Sequence, residues 1–264
     1  MYETLELERR GAAATIRLNR PDALNAWNAA LGAELLDAVG ALGADDDVRA
    51  VCVTGNGRAF SSGADLRDIT SRGLTPDGHP DVHTPLSTVY HPILTALRTM
   101  PKPVVAAVNG PAAGIGCSLA LSCDLVVAAE SAYLLLAFVN IGLVPDGGAL
   151  ALVSARAGSA RAAEMAMLGG RVGAAAAHRW GLVDRVVADD ELAGHVGELL
   201  DALAAGPTRS YAGTKRQINA WSYARLEEQL ELEARLQQEM VQSPDFREGV
   251  TAFLQKRTAA FTGE

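Results

Sequence analysis

Two short loops of small residues are the first candidates for chemistry in this sequence. The first loop is Ser61-Ser62-Gly63-Ala64 and the second loop is Ala113-Gly114-Ile115-Gly116, and each precedes a segment with the pattern of a helix. The N–H groups at the start of a helix have no partners within the helix and carry partial positive charge. Small side chains let another group approach those N–H groups closely. Either loop could therefore bind a negatively charged oxygen.

Whether these two loops can form one binding site depends on how close they lie in the fold. If both follow neighbouring strands at the same end, their N–H groups could converge on one oxygen and form an oxyanion hole from backbone alone. Each donor in such a site stabilises a transition state by roughly 2.7–4 kcal/mol. Tight turning from strand to helix is the alternative, and either loop taken alone favours it. Neither loop has the glycine pattern of a nucleotide-phosphate site, and the sequence has no G-x-S-x-G element.

The spacing of apolar residues predicts the elements that position these loops. Apolar runs at 50–53 and 104–108 predict buried strands, each followed by one of the loops and then by a helical segment. This repeated order is typical of β-turn-α units in an α/β fold. Further strands are predicted at 5–8, 14–18, 125–128 and 182–187, loops at 70–85 and 109–116, and helices at 28–42, 85–99, 117–122, 148–156, 159–168, 173–179, 189–205, 208–219, 225–242 and 244–256.

Helical segments dominate the sequence after about residue 147. We therefore expect an α/β core over residues 1–190 and a C-terminal helical region over residues 191–264 that is not an independent domain. Within residues 225–243 the apolar side chains form a narrow stripe suited to docking on another surface. This stripe is compatible with a helix that packs on its own domain and also with a helix at a contact between subunits. The stripe consists of Leu226, Leu230, Leu232, Leu236, Met240 and Val241.

The composition limits the classes of partner and compartment. The chain has 264 residues, 49% of them apolar, and a net charge of −8, which disfavours nucleic acids and anionic membranes as partners. The charged N-terminus is not a secretory signal, and no apolar stretch reaches the roughly 18 residues of a membrane span. Three cysteines in apolar surroundings indicate reduced thiols of a cytoplasmic protein. The histidines at 79, 83 and 91 lie in a Pro-rich stretch that we interpret as a solvated loop, with no metal-binding pattern.

Five segments together resemble the enoyl-CoA hydratase/isomerase (crotonase) superfamily. They are 18-LNRPDALNA-26, 54-TGNGRAFSSGADL-66, 103-PVVAAVNGPAAGIGCSLALSCD-124, 142-GLVPDGG-148 and 253-FLQKRTAAFTG-263. They occur in the family's order and at family-like spacing over essentially the whole chain. The resemblance implies a crotonase-like α/β spiral of β-β-α units with a C-terminal helical trimerisation region. It also implies a homotrimer or a dimer of trimers.

The resemblance implies an acyl-CoA thioester as the substrate, with no metal and no separate cofactor. In the family, two backbone N–H groups polarise the thioester carbonyl, and the matching residues here are Ala64 and Ile115. The contacts with CoA that the resemblance implies fall on Leu24, Arg58, Ser62, Ala64, Phe253 and Lys256. Phe138, Val139 and the 70–85 loop are expected to shape the acyl pocket. For Lys256, a solvated charge beside a helix is an equal alternative.

The acid or base of the reaction is the point at which the sequence departs from hydratases of the family. The two glutamates that those hydratases use fall on Ser118 and Phe138, which cannot exchange a proton as a carboxylate does. Asp146 falls where some isomerases of the family carry an aspartate. Apolar neighbours such as Leu143 are expected to raise the pKa of this carboxyl. An N-cap of the following helix is its alternative role.

These residues lead to a main hypothesis and its rivals. The main hypothesis is an isomerase that shifts a double bond through a thioester enolate, with Asp146 as the proton shuttle. One rival keeps the fold and uses Asp146 as a base or nucleophile, as in a hydratase or a carboxylate-dependent hydrolase or dehalogenase. Another rival is a non-catalytic acyl-CoA-binding protein. Asp65 and Asp68 are expected to cap or solvate a turn, and Asp124 to make a structural hydrogen bond.

Overall fold

The strands of the molecule form two sheets. The computed structural model describes residues 2–69 and 73–264 of the chain. The strands are β1 (Leu5–Arg10), β2 (Ala13–Leu18), β3 (Ala50–Gly55), β4 (Val104–Val108), β5 (Pro111–Ala113), β6 (Leu125–Ala129), β7 (Tyr133–Leu135), β8 (Arg171–Gly173) and β9 (Arg185–Val187). The larger sheet has the order β1-β2-β3-β4-β6-β9, and the smaller sheet has the order β5-β7-β8.

The larger sheet is parallel apart from the antiparallel β1–β2 hairpin. Every residue of β3 and β4 is buried, as expected of parallel strands that are covered on both faces. The predicted strands at 50–53 and 104–108 are thereby confirmed. Because β3 and β4 are parallel neighbours, with Val51 opposite Val104, the segments that follow them leave the sheet at the same edge.

Helices cover both faces of this sheet. They are α1 (Ala29–Ala44), α2 (Leu66–Ile69), α3 (His83–Pro85), α4 (His91–Thr99), α5 (Ile115–Ser122), α6 (Ala149–Ala157), α7 (Ser159–Leu168), α8 (Ala174–Trp180), α9 (Leu192–Ala205), α10 (Thr208–Ser222), α11 (Leu226–Met240) and α12 (Pro244–Gln255). A π-helix at Leu86–Tyr90 joins α3 to α4, so the helix predicted at 85–99 is a helical run that begins two residues earlier. Residues Pro21–Ala23 and Ala137–Ile141 form 3-10 turns.

The smaller sheet is the main feature that the sequence pattern missed. Its strands have three residues each, too few for an alternating pattern to stand out. β5 lies inside the predicted 109–116 loop and pairs in parallel with β7. Of the predicted 70–85 loop, residues 70–72 lie outside the described residues. Leu74 and Pro80 form an antiparallel bridge in the remainder.

The C-terminal helical region packs on the rest of the chain. The boundary predicted at residue 190 falls between β9 and α9, and α9 covers β2, β3, β4 and β6 directly. Its Leu192, Val196 and Leu200 belong to the same hydrophobic core as the sheet. α10 packs on α4, α11 on α3 and the π-helix, and α12 on the 137–141 turn. Trimerisation through this region stays a prediction.

The face that α11 buries differs from the predicted apolar stripe. Leu232 is 41% exposed, whereas Glu233 and Gln237 are each 2% exposed. Leu230 and Ala234 complete the buried face. The helix therefore lies on its own domain and turns two polar side chains inward, because its neighbours offer them polar partners.

Candidate active site

The two loops that contain small residues lie side by side. The N–H of Ser61 donates to the carbonyl of Pro111 at 3.0 Å, and the N–H of Ala113 donates to the carbonyl of Ser61 at 2.9 Å. Gly63 has a φ of +95°, and a Cβ at this position would lie 2.9 Å from the carbonyl oxygen of Ala113. Gly114 also has a positive φ, of +54°. Backbone conformation thus favours glycine at both positions, and the close approach of the loops favours it at Gly63 as well.

The backbone amides of Ala64 and Ile115 both belong to this paired segment. Ile115 is the first residue of α5, so its N–H has no partner within the helix. Ala64 stands between two backbone hydrogen bonds to Trp27, made by the carbonyl of Gly63 and the N–H of Asp65. Within residues 2–69 and 73–264, neither amide donates a hydrogen bond. Both residues line one cavity of about 530 Å³, where such amides can stabilise a negatively charged oxygen.

The lining of this cavity is mainly apolar. The residues predicted for the site that line it are Leu24, Ser62, Ala64, Ile115, Phe138, Asp146 and Phe253. Further lining comes from Leu66, Val82, Leu86, Tyr90 and Leu143. Arg58 and Lys256 are exposed and lie outside this lining, so their contact with CoA stays a prediction. An apolar cavity with few polar groups is typical of a small-molecule site.

Asp146 stands in the turn that precedes α6. Its Oδ2 accepts a hydrogen bond from Nε2 of Gln237 at 3.1 Å, while its backbone carbonyl accepts one from Oγ of Ser118 at 2.9 Å. The N-cap residue of α6 is Gly148. The N–H of Ala149, in the first turn of that helix, donates a hydrogen bond to the backbone carbonyl of Asp146. The capping role that we considered for the Asp146 side chain is therefore wrong.

The two positions that carry glutamates in the hydratases have different surroundings. Ser118 is completely buried in α5, and its hydroxyl supports the turn that carries Asp146. Phe138 is 8% exposed and lines the cavity. Among the described residues, the acids of the cavity lining are Asp146 and Asp65, and Asp65 is engaged by Arg20 and Arg67.

Sequence reasoning missed the side chains that stand behind Asp146. Oε1 of Glu233 accepts a hydrogen bond from the N–H of Gly148 at 2.7 Å and lies 3.2 Å from Nε2 of His91. Burial raises the pKa of Glu233 to about 8 and lowers the pKa of His91, because it disfavours the charged form of each group. The signal was the spacing of Glu233 and Gln237 from Leu230 and Val241, which places them on one face of the helix.

His91 corrects one sequence interpretation. We placed it in a solvated loop, whereas it begins α4 and is 7% exposed. Among the residues that the structure describes, no group of three or more histidine, cysteine, aspartate or glutamate side chains is arranged to hold a metal ion. In the same part of the chain, no helix combines the length and apolarity needed to cross a membrane.

Three aspartates and the three cysteines were predicted to have structural roles. Asp65 accepts a hydrogen bond from the N–H of Arg67 in α2, and Asp124 accepts one from the N–H of Val104, which confirms both roles. The side chain of Asp68 lies outside the described residues. The cysteines are free and buried, and burial raises their pKa to about 12, as expected of core thiols; they are Cys52, Cys117 and Cys123.

Comparison with known proteins identifies the family. The model of the enoyl-CoA hydratase/isomerase family matches residues 8–264. The chain belongs to the enoyl-CoA hydratase/isomerase (crotonase) superfamily. A solved structure of an enoyl-CoA hydratase from Mycobacterium avium subsp. paratuberculosis is similar to this crotonase-family chain with a TM-score of 0.88 and 39% identity, over 99% of this chain and 100% of that one.

Two relatives of this crotonase-family enzyme have different activities in their names. A probable enoyl-CoA hydratase from Rhodobacter capsulatus is 44% identical over 99% of each chain. A 1,2-epoxyphenylacetyl-CoA isomerase from Escherichia coli is 42% identical over 95% of each chain. These relatives share the family and differ in the reaction that their names give.

Proposed function

We propose that this crotonase-family enzyme is an acyl-CoA isomerase that shifts a double bond through a thioester enolate. The observation that supports the proposal is the position of the Asp146 carboxylate, which lines the same cavity as Ala64 and Ile115. Ser118 and Phe138 stand where hydratases of the family have their two glutamates. Asp65 also lines the cavity but is paired with Arg20 and Arg67, so Asp146 is the proposed proton carrier. One such carboxylate suits proton transfer between two carbons better than it suits the addition of water.

The proposed reaction begins with the thioester oxygen between the amides of Ala64 and Ile115. Asp146 removes a proton from C2 of a 3-enoyl thioester, and the electron pair forms a dienolate whose charge rests on that oxygen. The amides stabilise this charge because they are oriented before it develops. The protonated Asp146 then returns the proton to C4, which yields the 2-enoyl thioester and regenerates the carboxylate. The step consumes no co-reactant, so no metal or cofactor is needed.

The apolar lining is suited to the acyl group of the substrate. The CoA moiety is proposed to extend out of the cavity beside α12. Phe253 and Leu254 line the cavity yet are 61% and 58% exposed, so this side of the lining reaches the surface. Leu24 and Ser62 are the proposed contacts for CoA in the lining, with Arg58 and Lys256 as proposed contacts outside it. A homotrimer or a dimer of trimers is proposed as the assembly.

Turnover of two substrates tests the proposed reaction. We expect 3-enoyl-CoA to be converted to 2-enoyl-CoA, and we expect the Asp146→Asn variant to lose roughly 10²–10⁴-fold in kcat, because general acid–base catalysis contributes that much. Glu130→Gln removes an exposed acid and serves as the matched control. Chromatography of the CoA products with both substrates provides the measurement.

Three results would contradict the proposal. Hydration of 2-enoyl-CoA without a shift of the double bond would favour the hydratase alternative, which the name of the Rhodobacter capsulatus relative supports. Unchanged turnover by Asp146→Asn would remove that residue from the mechanism. Wild-type protein that binds acyl-CoA and converts none would favour the non-catalytic alternative.

A further inference from the structure

α11 brings a neutral amide against the proposed proton shuttle. Gln237 is 2% exposed, and its Nε2 donates to the backbone carbonyl of Val144 at 2.6 Å and to Oδ2 of Asp146 at 3.1 Å. A side-chain amide nitrogen carries two hydrogens, so both bonds can be made at once. One hydrogen bond holds the carboxylate and the other ties the same amide to the backbone of the turn.

The same helix also holds the far end of this turn. Glu233 lies one helical turn before Gln237, and its Oε1 accepts a hydrogen bond from the N–H of Gly148 at 2.7 Å. A Cβ at Gly147 would collide with Cδ1 of Ile115, so the turn packs directly against a residue of the proposed oxyanion site. α11 therefore helps to hold the turn that carries Asp146 against Ile115, together with the hydroxyl of Ser118.

We propose that Gln237 is a positioning residue that orients the Asp146 carboxylate towards the carbon acid of the bound substrate. This proposal rests on the proposed function, in which Asp146 moves the proton. Loss of this bond would change the orientation of the carboxylate, and displacement by about 1 Å can cost roughly 100-fold in rate. The amide has no charge and does not titrate, so it orients the carboxylate without competing for the proton.

The test replaces the amide by a side chain of similar shape that cannot donate. Gln237→Met removes both hydrogen bonds, and we expect kcat to fall roughly 10- to 100-fold, the range that corresponds to a lost hydrogen bond to a charged group. We expect KM for the acyl-CoA to change by less than about 3-fold, because an interaction that matters in the transition state lowers kcat and kcat/KM together. Activity is expressed per folded protein, with folding measured by circular dichroism.

The neighbouring glutamine supplies the matched control. Gln238 donates to the carbonyl of Pro80 at 3.0 Å and accepts from the N–H of Val82, so it is hydrogen-bonded on the same helix without touching the Asp146 turn. Gln238→Met should leave kcat within about 2-fold of wild type, since it removes no interaction with the proton shuttle. Gln237→Leu also lacks a donor and replaces Gln237→Met should that variant not fold. A leucine side chain cannot titrate or donate, so the same loss of kcat is expected.

The outcomes separate this inference from the function on which it rests. A kcat close to wild type in a folded variant at position 237, while Asp146→Asn is inactive, overturns the role of Gln237 and leaves the isomerase proposal standing. Full activity of Asp146→Asn overturns the proposed function itself. If Gln238→Met loses as much kcat as the variant at position 237, the positioning role is also overturned. The loss would then be a general effect of changing α11.

Discussion

At the scale of single residues, the proposed chemistry depends on backbone atoms more than on side chains. The donors are the amides of Ala64 and Ile115, and neither side chain has a group that could replace them. Their placement requires the close approach of the two loops, which Gly63 permits because it has no Cβ. Small residues are thus the signature of the proposed oxyanion site, since a Cβ at position 63 would push the two loops apart.

Gly63→Ala tests this dependence on backbone approach. The added Cβ would lie 2.9 Å from the carbonyl oxygen of Ala113 on a backbone with a φ of +95°, so we expect the loops to separate. Loss of one oxyanion donor should lower kcat by about 10²–10³-fold. The strained φ should also lower the free energy of unfolding by about 1–3 kcal/mol. Steady-state kinetics and denaturant unfolding measure the two effects.

Gly40→Ala is the control for that substitution. Gly40 lies within α1, and a Cβ there would meet nothing within 4 Å. Alanine in a helix interior is favoured over glycine, so this variant should gain about 0.5–1 kcal/mol of stability and keep full activity. Normal activity of Gly63→Ala would show that the donors do not depend on the close approach of the loops.

At the scale of elements, α11 shows why a helix can be predicted more easily than the face it buries. The sequence pattern located the helix to within two residues, but its apolar stripe pointed to Leu232, which is 41% exposed. Glu233 and Gln237 are buried instead because Gly148 and the Asp146 turn satisfy them. A buried polar group costs little when it is hydrogen-bonded, and hydrophobicity alone does not reveal the partner.

Glu233 makes the stability of the fold depend on pH. Burial raises its pKa from 4.5 to about 8, so the native state keeps a proton that the unfolded chain has lost between those values. The free energy of unfolding of the wild type should therefore fall as pH rises through that window. Glu233→Gln keeps an oxygen acceptor for the N–H of Gly148 and removes the titration. We expect the variant to lose less stability across the window than the wild type.

Urea unfolding at several pH values measures this difference. Glu227→Gln removes a carboxyl from the exposed face of the same helix and reports any effect that is unrelated to burial. His91 titrates in the opposite sense, because burial lowers its pKa and the native state resists its protonation. Comparison of wild type with Glu233→Gln separates the two groups. Parallel curves for these two proteins would contradict the assignment of a raised pKa to Glu233.

At the scale of the whole molecule, the C-terminal helices complete the core and the site. α9 covers four strands of the larger sheet. α11, its C-cap residue and α12 contribute Gln237, Val241, Phe253 and Leu254 to the cavity lining. The boundary at residue 190 therefore separates the last strand from the C-terminal helices. The packing of α9 on the sheet argues against two separate folding units. The same region is where the resemblance places trimerisation, which stays a prediction.

A fragment of residues 1–190 tests the unity of the fold. Without α9, the face of the sheet that packs on Leu192, Val196 and Leu200 would be exposed to solvent. Loss of three fully buried leucine- or valine-sized contacts at about 1.5–3 kcal/mol each approaches the total stability of a typical domain. We expect the fragment to aggregate or to lack a cooperative unfolding transition in calorimetry. A soluble, cooperatively folding fragment would show that the core is independent of the helices.

Much of this architecture could be predicted from the sequence alone. The buried runs at 50–53 and 104–108 and the small residues after them predicted two strands with equivalent loops, because apolar periodicity and glycine placement report local backbone structure directly. The resemblance located the family and Asp146 through motifs that are continuous in sequence. The three-residue strands β5, β7 and β8 escaped because their pairing partners, rather than their composition, make them strands.

Only the tertiary structure decided what surrounds Asp146. Gln237 lies 91 residues after Asp146 in the chain, and Glu233 lies 85 residues after Gly148. Neither residue type is distinctive in sequence, because the same helix also carries exposed glutamates and half-buried glutamines. Periodicity states which residues share a face, but which face is buried depends on the partners that the rest of the chain brings to it. The position of the carboxylate is therefore a property of the packed molecule, whereas the identity of the carboxylate was already present in the sequence.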